Sequence, residues 1–273
     1  MSAPETSQRT IHPTAVVDPR AELGAVTVGP FAVVGPGVAL HDGVTLDAHT
    51  VVYGPTTLGE GTRVHAFACI GGDPQDLKYD GEQTALAIGR NNTFREYVTV
   101  NRGTVGGGGT TEIGDDNLFM ACSHVAHDCK IGSGCIVANS VGIAGHVVIQ
   151  DRAVLGGLSA VHQFARIGRC AMIGGGAMVA QDVPPFTVAQ GDRARLFGLN
   201  IIGLRRAGFD PTAIEKLRGA YRDLFGKGAP LRIAIERVRA SDGDIPEVAE
   251  LLGFLSGSSR GVCRAAGQDP AQD

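Results

Sequence analysis

The sequence lacks the long apolar runs of integral membrane proteins: no stretch approaches the roughly 18 apolar residues that a membrane-spanning helix needs. Its first ten residues, MSAPETSQRT, are polar and lack the apolar core of a signal peptide, so none is expected. The six cysteines form no CxxC pair, which favours small buried thiols in a reducing cytosol. These absences predict a cytoplasmic protein without an integral membrane segment.

Glycine, in contrast, is abundant. The chain has 40 glycines among 273 residues, about twice the usual share, and they show no collagen period. Hydrophobic residues make up 43% of the chain and charged residues 19%, which is enough apolar material for a core and argues against disorder. The length suits one large domain or one domain with a small appendage. We infer a backbone that needs many tight corners.

Charge is distributed unevenly along the chain. Residues 190–239 contain eleven Lys and Arg against five Asp and Glu, a balance of +6, whereas the whole chain carries −4 and the remainder therefore −10. A basic end on an acidic protein is typical of a contact with an anionic partner or substrate. On charge alone, a solvated helix surface explains this segment equally well.

Aliphatic residues recur at every sixth position along most of the chain. This period fits neither a helix nor an alternating strand, and it is typical of hexapeptide parallel β-helices, in which three short strands and three corners make one triangular coil. The repeated aliphatic residue points inward. Two long series carry the pattern, namely Val28, Val34, Leu40, Leu46, Val52, Leu58, Val64 and Ile70, and then Ile113, Phe119, Val125, Ile131, Val137, Ile143, Ile149, Leu155, Val161, Ile167, Ile173 and Val179.

The repeat is interrupted twice and then ends. We expect residues 72–87 and 101–112 to form loops that project from the β-helix, and long loops on a rigid scaffold often carry function. The repeat ends after Val183-Pro184-Pro185, and Asp210-Pro211 is typical of a helix start. Further helices are predicted near residues 229–240 and 245–256, and the Gly/Ser-rich tail from about residue 257 is expected to fray.

These features predict an all-β left-handed parallel β-helix with a small C-terminal α-helical domain. The β-helix is expected to span residues 1–190 and the helical domain residues 191–273.

A polar column is predicted on one outer edge of this prism, around the stretch SHVAHDCKIG at residues 123–132. Residues 18 positions apart lie on the same edge of adjacent coils, about 4.8 Å apart. His127 is therefore expected to stack with Gly145, which leaves space beside the ring and frees a backbone N–H. By the same spacing Asp128 stacks with His146. The column consists of His127, Asp128, His146, His162 and Gln163, with His124 just before the corner and Phe164 beyond His146.

Three chemistries compete for this column. In acyl transfer, His127 would act as general base and the Gly145 N–H would steady an oxyanion, with both substrates held side by side. In a zinc site of the kind found in β-helical carbonic anhydrases, the ligands would be His124, His127 and His146. That alternative gives no reason for the helical appendage or the basic segment. A non-catalytic scaffold would leave the polar column unexplained.

Over nearly its whole length the chain resembles the UDP-N-acetylglucosamine O-acyltransferases, which catalyse the first step of lipid A synthesis. The matching segments are far more specific than the hexapeptide repeat, which many acyltransferases share. They are IGGDPQDLKYDGE (70–82), TVNRGTVGGGGTT (99–111), HVAHDC (124–129), AGH (144–146), AVHQF (160–164), VAQDVPPF (179–186), AQGDRARLFGLNIIGLRRAGF (189–209) and SSRG (258–261).

The resemblance implies roles for individual residues. His127 would remove a proton from the sugar 3-hydroxyl as that oxygen attacks a thioester, Asp128 would orient His127, and the Gly145 N–H would bind the oxyanion. Because neighbours on a strand point to opposite faces, the contact between His127 and Asp128 requires a corner. Residues implied in holding the sugar, the diphosphate and the acyl headgroup are Asp76, Lys78, His124, His146, His162 and Gln163, with Asn200 and Arg206 at the nucleotide end.

The resemblance also implies the partners and the acyl length. The acyl donor would be a 3-hydroxyacyl group on acyl carrier protein, an acidic partner that would suit the basic segment. A homotrimer is expected, with no nucleic acid, cofactor or metal. Gly175 would occupy the position that ends the acyl channel, which predicts a chain of about twelve to fourteen carbons. Ile202 and Ala207 depart from the pattern of the better-known members, which have an acid and often a second Arg there.

Overall fold

Short parallel strands, most of them two residues long, stack into three sheets that form the faces of a left-handed β-helix. The computed structural model describes residues 8–226 and 230–266. Each complete coil contributes one strand to the first sheet, one to the second and one to the third. The fold class predicted from the six-residue period is confirmed.

The strands are numbered in chain order. The first sheet contains β1 Thr10–Ile11, β4 Thr27–Val28, β7 Thr45–Leu46, β10 Arg63–Val64, β13 Thr93–Phe94, β16 Leu118–Phe119, β19 Ile136–Val137, β22 Val154–Leu155, β25 Met172–Ile173, β27 Thr187–Gln190 and β28 Arg195–Leu199. The second contains β2 Val16–Val17, β5 Val33–Val34, β8 Val51–Val52, β11 Cys69–Gly72, β14 Thr99–Asn101, β17 His124–Val125, β20 Gly142–Ile143, β23 Ala160–Val161 and β26 Met178–Val179. The third contains β3 Glu22–Leu23, β6 Val38–Leu40, β9 Thr56–Leu58, β12 Ala85–Ile88, β15 Thr110–Ile113, β18 Lys130–Ile131, β21 Val148–Ile149 and β24 Arg166–Ile167.

The aliphatic repeat fills the interior of the prism. Val125 pairs with Ile143, and Ile143 pairs with Val161, so that neighbouring coils are 18 residues apart in register. These three side chains are buried, like all other members of the two long series. The predicted spacing and the inward direction of the repeat are confirmed, and burial of this apolar column is the main source of stability for the fold.

The corners use glycine differently from the expectation. The glycines that follow the aliphatic residue are required by close approach: a Cβ on Gly29 would lie 2.9 Å from the carbonyl oxygen of Leu46, and one on Gly156 would lie 2.6 Å from the backbone nitrogen of Gly175. The left-handed corner position lies two residues later and is mostly occupied by residues other than glycine. Asp128, at φ 60°, is one of them.

The two interruptions of the repeat connect strands of neighbouring sheets. The first runs from β11 to β12, and the second runs from β14 to β15 and contains a 3₁₀ turn, Val105–Gly107. Strand residues extend into both ends of each predicted loop. Strands β11 and β14 end at Gly72 and Asn101, and β12 and β15 begin at Ala85 and Thr110.

In the part of the chain that the structure describes, four helices follow the β-helix, and they are α1 Ile201–Arg206, α2 Pro211–Phe225, α3 Leu231–Asp242 and α4 Pro246–Ser256. Before them, β28 pairs antiparallel with β27, so the first sheet continues beyond residue 190. Asp210 caps α2 through a hydrogen bond from the Thr212 N–H, and Pro211 occupies the first turn, as predicted. Within the described ranges, none of these helices combines the length and apolar content required to cross a bilayer.

The expectation that the chain frays after residue 257 is wrong for residues 258–266. Val262 and Ala265 form bridges with Asp182 and Leu196, and the buried Asp182 accepts a hydrogen bond from Ser258 Oγ at 2.8 Å. The buried carboxylate therefore supplies a fixed partner that composition alone does not reveal. Residues 267–273 of the predicted tail lie outside the described residues.

Candidate active site

His127 and Asp128 form a hydrogen-bonded pair at the corner between the second and third sheets. The Nδ1 atom of His127 lies 2.7 Å from Oδ2 of Asp128. Adjacent residues on a strand would point to opposite faces, but the left-handed conformation of Asp128 turns its side chain back beside the imidazole. The corner that this contact was expected to require is therefore present. Because Nδ1 faces the carboxylate, Nε2 is the ring nitrogen left for a ligand.

The second loop fixes the carboxylate. Thr104 donates its backbone N–H to Oδ1 of Asp128 at 2.8 Å and its hydroxyl to Oδ2 at 2.7 Å, while the Asp128 N–H donates to Thr111 Oγ1. His127 and Asp128 are each only 5% exposed. Both residues lie at a corner of the prism, and residues of the second loop cover that corner, which the sequence did not indicate.

These contacts set the ionisation of the site. Burial alone would raise the pKa of the Asp128 carboxyl, but hydrogen bonds from His127 and Thr104 outweigh burial and hold that pKa below its usual range. The group is therefore a carboxylate at neutral pH, as a partner that orients an imidazole must be. Burial, with a smaller contribution from His127, lowers the pKa of His124, which favours its neutral form.

Gly145 lies directly against the imidazole. A Cβ added to Gly145 would lie 2.6 Å from Cε1 and 2.8 Å from Nε2 of His127, so no larger residue fits without displacing the ring. Among the residues that the structure describes, none accepts a hydrogen bond from the Gly145 N–H. The Gly145 N–H is therefore left as a donor beside the imidazole, and its role toward an oxyanion stays a prediction.

His146 completes the immediate surroundings of the pair. Its ring is perpendicular to that of His127, with centroids 5.1 Å apart, and its Nε2 lies 3.7 Å from Oδ2 of Asp128. On its other side it stacks on Phe164 at 4.5 Å, with the two rings nearly parallel. The predicted stacking of Asp128, His146 and Phe164 along one corner is confirmed.

The remaining histidines of the column lie around this pair. His124 is on β17 and its Nδ1 is 2.7 Å from Thr99 Oγ1. His162 and Gln163 are exposed, at the same corner two coils further along. All of the column residues are therefore on one side of the prism.

The zinc alternative requires His124, but His124 is not part of the potential ligand cluster. That cluster consists of His127, Asp128 and His146, whose ligand atoms all lie within 4.8 Å of one another. Both carboxylate oxygens of Asp128 already accept hydrogen bonds from Thr104. This arrangement is typical of a buried acid that orients a histidine.

Asp76 and Lys78 lie in the first loop. Asp76 is half-buried and accepts a hydrogen bond from the Lys78 N–H at 3.0 Å, while the Lys78 side chain is exposed. The buried Arg102 of the second loop fastens the first, since Nη1 donates to the Gly71 carbonyl at 2.5 Å and Nη2 contacts Asp73. The two loops are therefore joined beside the candidate site.

Asn200 and Arg206 are not brought to the corner of His127. Asn200 caps α1, because its Oδ1 accepts from the Gly203 N–H, and its Nδ2 donates to the carbonyl of Cys170 at the corner between the third and first sheets. Arg206 is the exposed last residue of α1. Ile202 is exposed on the same helix, and Ala207 is the residue directly after the end of α1.

Gly175 lies beside open surface at the corner between the first and second sheets. Gly176, not Gly175, has the left-handed φ of 69°, so the conformation of Gly175 does not demand glycine. A Cβ there would meet only the carbonyl oxygen of Gly157, at 3.3 Å. The predicted stacking of Gly175 over Gly157 is present.

The sequence reasoning missed Thr104, Arg102 and Arg260. Thr104 and Arg102 lie in TVNRGTVGGGGTT, where polar residues interrupt the six-residue period, and that interruption is the only local signal of their role. Arg260 lies in the segment that was expected to fray.

Comparison with known proteins identifies the family. A model described as Udp N-acetylglucosamine O-acyltransferase, domain 2, matches residues 182–263, and a bacterial transferase hexapeptide model matches residues 110–145. The acyl-[acyl-carrier-protein]–UDP-N-acetylglucosamine O-acyltransferase of Anaeromyxobacter dehalogenans is 50% identical over 255 residues, which cover 93% of this chain and 99% of the relative. The chain belongs to the UDP-N-acetylglucosamine O-acyltransferase family.

Other members of the UDP-N-acetylglucosamine O-acyltransferase family agree in sequence and structure. The enzyme of the same name from Rhizobium johnstonii is 46% identical over 250 residues, 91% of this chain and 92% of the relative. LpxA from Acinetobacter baumannii superposes with a TM-score of 0.91 at 42% identity, over 93% of this chain and 99% of the other. The acyltransferase from Arabidopsis gives a TM-score of 0.83 at 37% identity, over 93% of this chain and 100% of the other.

Proposed function

We propose that this chain transfers a 3-hydroxyacyl group from acyl carrier protein to the 3-hydroxyl of UDP-N-acetylglucosamine, the first step of lipid A synthesis. The names of its relatives support the two substrates. The observation that carries the proposal is the buried pair of His127 and Asp128 against Gly145. A cytoplasmic site of action suits a carrier-bound donor.

In the proposed reaction, Nε2 of His127 takes the proton of the sugar 3-hydroxyl as its oxygen attacks the thioester carbonyl carbon. The negative charge that develops on the carbonyl oxygen is accepted by the Gly145 N–H. The intermediate collapses, the carbon–sulfur bond breaks, and the departing thiolate of the carrier takes the proton from His127. No covalent enzyme intermediate is needed, because the two substrates react directly.

The surrounding residues support binding of the two substrates. Asp128 keeps Nδ1 occupied, so that His127 presents Nε2 to the hydroxyl. Asp76, Lys78, His124, His146, His162 and Gln163 would contact the sugar, the diphosphate and the acyl headgroup. Gly175 would end a long acyl channel. Asn200 and Arg206 would reach the nucleotide from a neighbouring chain of a homotrimer, since they lie at a different corner of their own prism.

The test is an assay of the purified chain with UDP-N-acetylglucosamine and a set of 3-hydroxyacyl carrier proteins, with a metal chelator in parallel. We expect ester product whose formation is insensitive to the chelator. Loss of activity with the chelator and its return with Zn²⁺ would favour metal chemistry at His127, Asp128 and His146. A lack of product with every donor would refute the proposal.

A further inference from the structure

The C-terminal segment, residues 258–266, returns to the β-helix on the side that carries His162. It is held there by the buried Asp182, which accepts from Ser258 Oγ at 2.8 Å and whose carbonyl oxygen accepts from the Cys263 N–H at 2.8 Å. Asp182 also pairs with Arg166 at 2.9 Å, and Arg166 in turn donates to the Phe254 carbonyl at the end of α4. The position of Arg260 between these anchors is therefore well defined.

Arg260 contacts both the β-helix backbone and a residue of the candidate site. Its Nε donates to the carbonyl of Ala180 at 2.7 Å, and its Nη2 lies 2.8 Å from Nδ1 of His162. A guanidinium can only donate hydrogen bonds, so Nδ1 of His162 must accept with its lone pair. The proton of the neutral imidazole then resides on Nε2.

A second group competes for the same ring nitrogen. The carbonyl oxygen of Gln163 lies 3.3 Å from Nδ1 of His162, and a carbonyl would require a proton on that nitrogen. One nitrogen of a neutral imidazole cannot serve both partners. The contact with Arg260 is shorter and charge-assisted, so it selects the tautomer that carries its proton on Nε2.

We propose that Arg260 is a positioning residue that fixes this tautomer of His162, so that the Nε2–H donates to an oxygen acceptor of a bound substrate. The inference rests on the proposed function, because it takes His162 to line the substrate cleft. The acceptor can be a phosphate or carbonyl oxygen of the sugar nucleotide, or the carbonyl oxygen of the acyl donor. The kinetic experiment shows which of the two substrates carries it.

The first test observes the tautomer directly and requires no activity. In Arg260→Met the guanidinium is lost and an apolar chain remains, so Nδ1 of His162 becomes free to donate to the Gln163 carbonyl. Nitrogen NMR of the His162 ring should show the proton on Nε2 in the wild type and a shift of the population toward Nδ1 in the variant. Arg20→Met, which removes an exposed arginine on an N-terminal coil, is the matched control and should leave the His162 signals unchanged.

The second test asks whether Arg260 acts through His162. Arg260→Met should raise the KM for either UDP-N-acetylglucosamine or the acyl donor by about tenfold, the usual effect of one lost hydrogen bond. The substrate whose KM rises is the one that carries the acceptor oxygen. His162→Gln places an amide N–H near the position of Nε2, and adding Arg260→Met to His162→Gln should have no further effect.

The outcomes separate this inference from the proposed function. An unchanged tautomer in Arg260→Met overturns the inference even if the chain is an active acyltransferase. The inference is also overturned if Arg260→Met raises the KM by the same factor in the wild type and in the His162→Gln variant. Arg260 would then act independently of His162. If the chain proves to lack acyltransferase activity, the tautomer measurement still decides the effect of Arg260. Arg260→Lys, which retains a cationic donor, should restore part of the wild-type tautomer.

Discussion

At the residue scale, the candidate site depends on one carboxylate that is satisfied on several sides. Asp128 accepts from Thr104 twice and faces Nδ1 of His127, so rotation of the imidazole would remove one of the hydrogen bonds of a buried charge. Losing a hydrogen bond to a buried charged group is costly. The ring is therefore held in one orientation before any substrate binds, which is the preorganisation that a general base requires.

This arrangement leads to a prediction for His127→Asn. The asparagine amide can still donate to Asp128, so the buried carboxylate keeps a partner, but no group remains to take the proton of the hydroxyl. We expect kcat to fall by about 10²–10⁴-fold, the usual contribution of one general base. Steady-state kinetics measures the loss, and thermal unfolding checks that the fold persists. A folded variant that retains more than about a tenth of the wild-type rate would exclude His127 as the base.

Gly175 gives a second prediction at this scale. Its backbone does not require glycine and an added Cβ would meet only the Gly157 carbonyl oxygen, at 3.3 Å, so Gly175→Met should be accommodated with a small local shift and should fill the end of the proposed acyl channel. Each CH₂ denied burial costs about 0.8 kcal/mol, so preference should shift by more than about tenfold toward a chain several carbons shorter. Competition between donors of different length measures the shift. Gly253→Met, at an unobstructed glycine in α4, is the control, and an unchanged length profile in Gly175→Met would place the channel elsewhere.

His124 gives a prediction about pH. Burial lowers the pKa of His124 in the folded chain, so the unfolded chain binds this proton more tightly. Its contribution to stability is therefore fully present above about pH 6.5 and is lost as the pH falls through the folded-state pKa. His124→Gln can keep a hydrogen bond to Thr99 but does not titrate. Between about pH 7 and about pH 5, the melting temperature of this variant should fall less than that of the wild type. An equal fall in both proteins would show that His124 does not contribute to this loss of stability.

At the scale of elements, α2 carries part of the basic segment on its exposed face. Its apolar side, including Leu217 and Leu224, is buried, while Arg218 and Arg222 are exposed. Arg218 already contacts Glu215, an exposed pair that contributes little to stability. Both arginines are therefore accessible to an acidic partner at little cost to stability.

The corresponding prediction concerns Arg218→Glu combined with Arg222→Glu. Rim charges mainly steer encounter, so the KM for the carrier-bound donor should rise and its salt dependence should weaken, with little change in kcat. Kinetics with the carrier-bound donor over a range of ionic strength measures the effect. Arg20→Glu, on an N-terminal coil, should change neither quantity. If the KM for the donor stays at the wild-type value, these arginines belong to an ordinary solvated helix surface.

The elements also show what the sequence could and could not predict. Residues such as Val125 and Ile143 repeat with a period that fixes both their inward direction and the register of the coils, so the prism and the stacking of Asp128, His146 and Phe164 could be read directly. The covering of the corner by Thr104 could not, because the second loop lies outside the period and its path depends on contacts with Asp128.

The C-terminal segment illustrates the same limit. Its composition, rich in Gly and Ser, predicts fraying, yet Ser258 and Val262 find a fixed partner in Asp182, a buried residue about 80 positions earlier in the chain. Such a contact between distant positions has no local pattern. For the same reason the role of Arg260 emerges only from its distance to His162.

At the scale of the whole molecule, the proposed site residues are divided between two corners of the prism. His127, His146 and Gln163 lie at the corner between the second and third sheets. Asn200 instead donates a hydrogen bond to the backbone carbonyl of Cys170, at the corner between the third and first sheets. One rigid prism cannot bring both groups to the same substrate, but two neighbouring prisms in a cyclic assembly can. The division therefore favours a site shared between chains.

A shared site predicts that two impaired variants can restore each other. In solution we expect a trimer, with a mass by light scattering of three times the 28.2 kDa chain. His127→Asn and Arg206→Ala should each be impaired alone. When the two chains are unfolded together and refolded as a mixture, about a quarter of the clefts should combine an intact His127 from one chain with an intact Arg206 from its neighbour, if assembly is random. Activity should then exceed the average of the two separate variants. Refolded mixtures that give only this average, or light scattering that reports an active monomer, would mean that each chain holds a complete site.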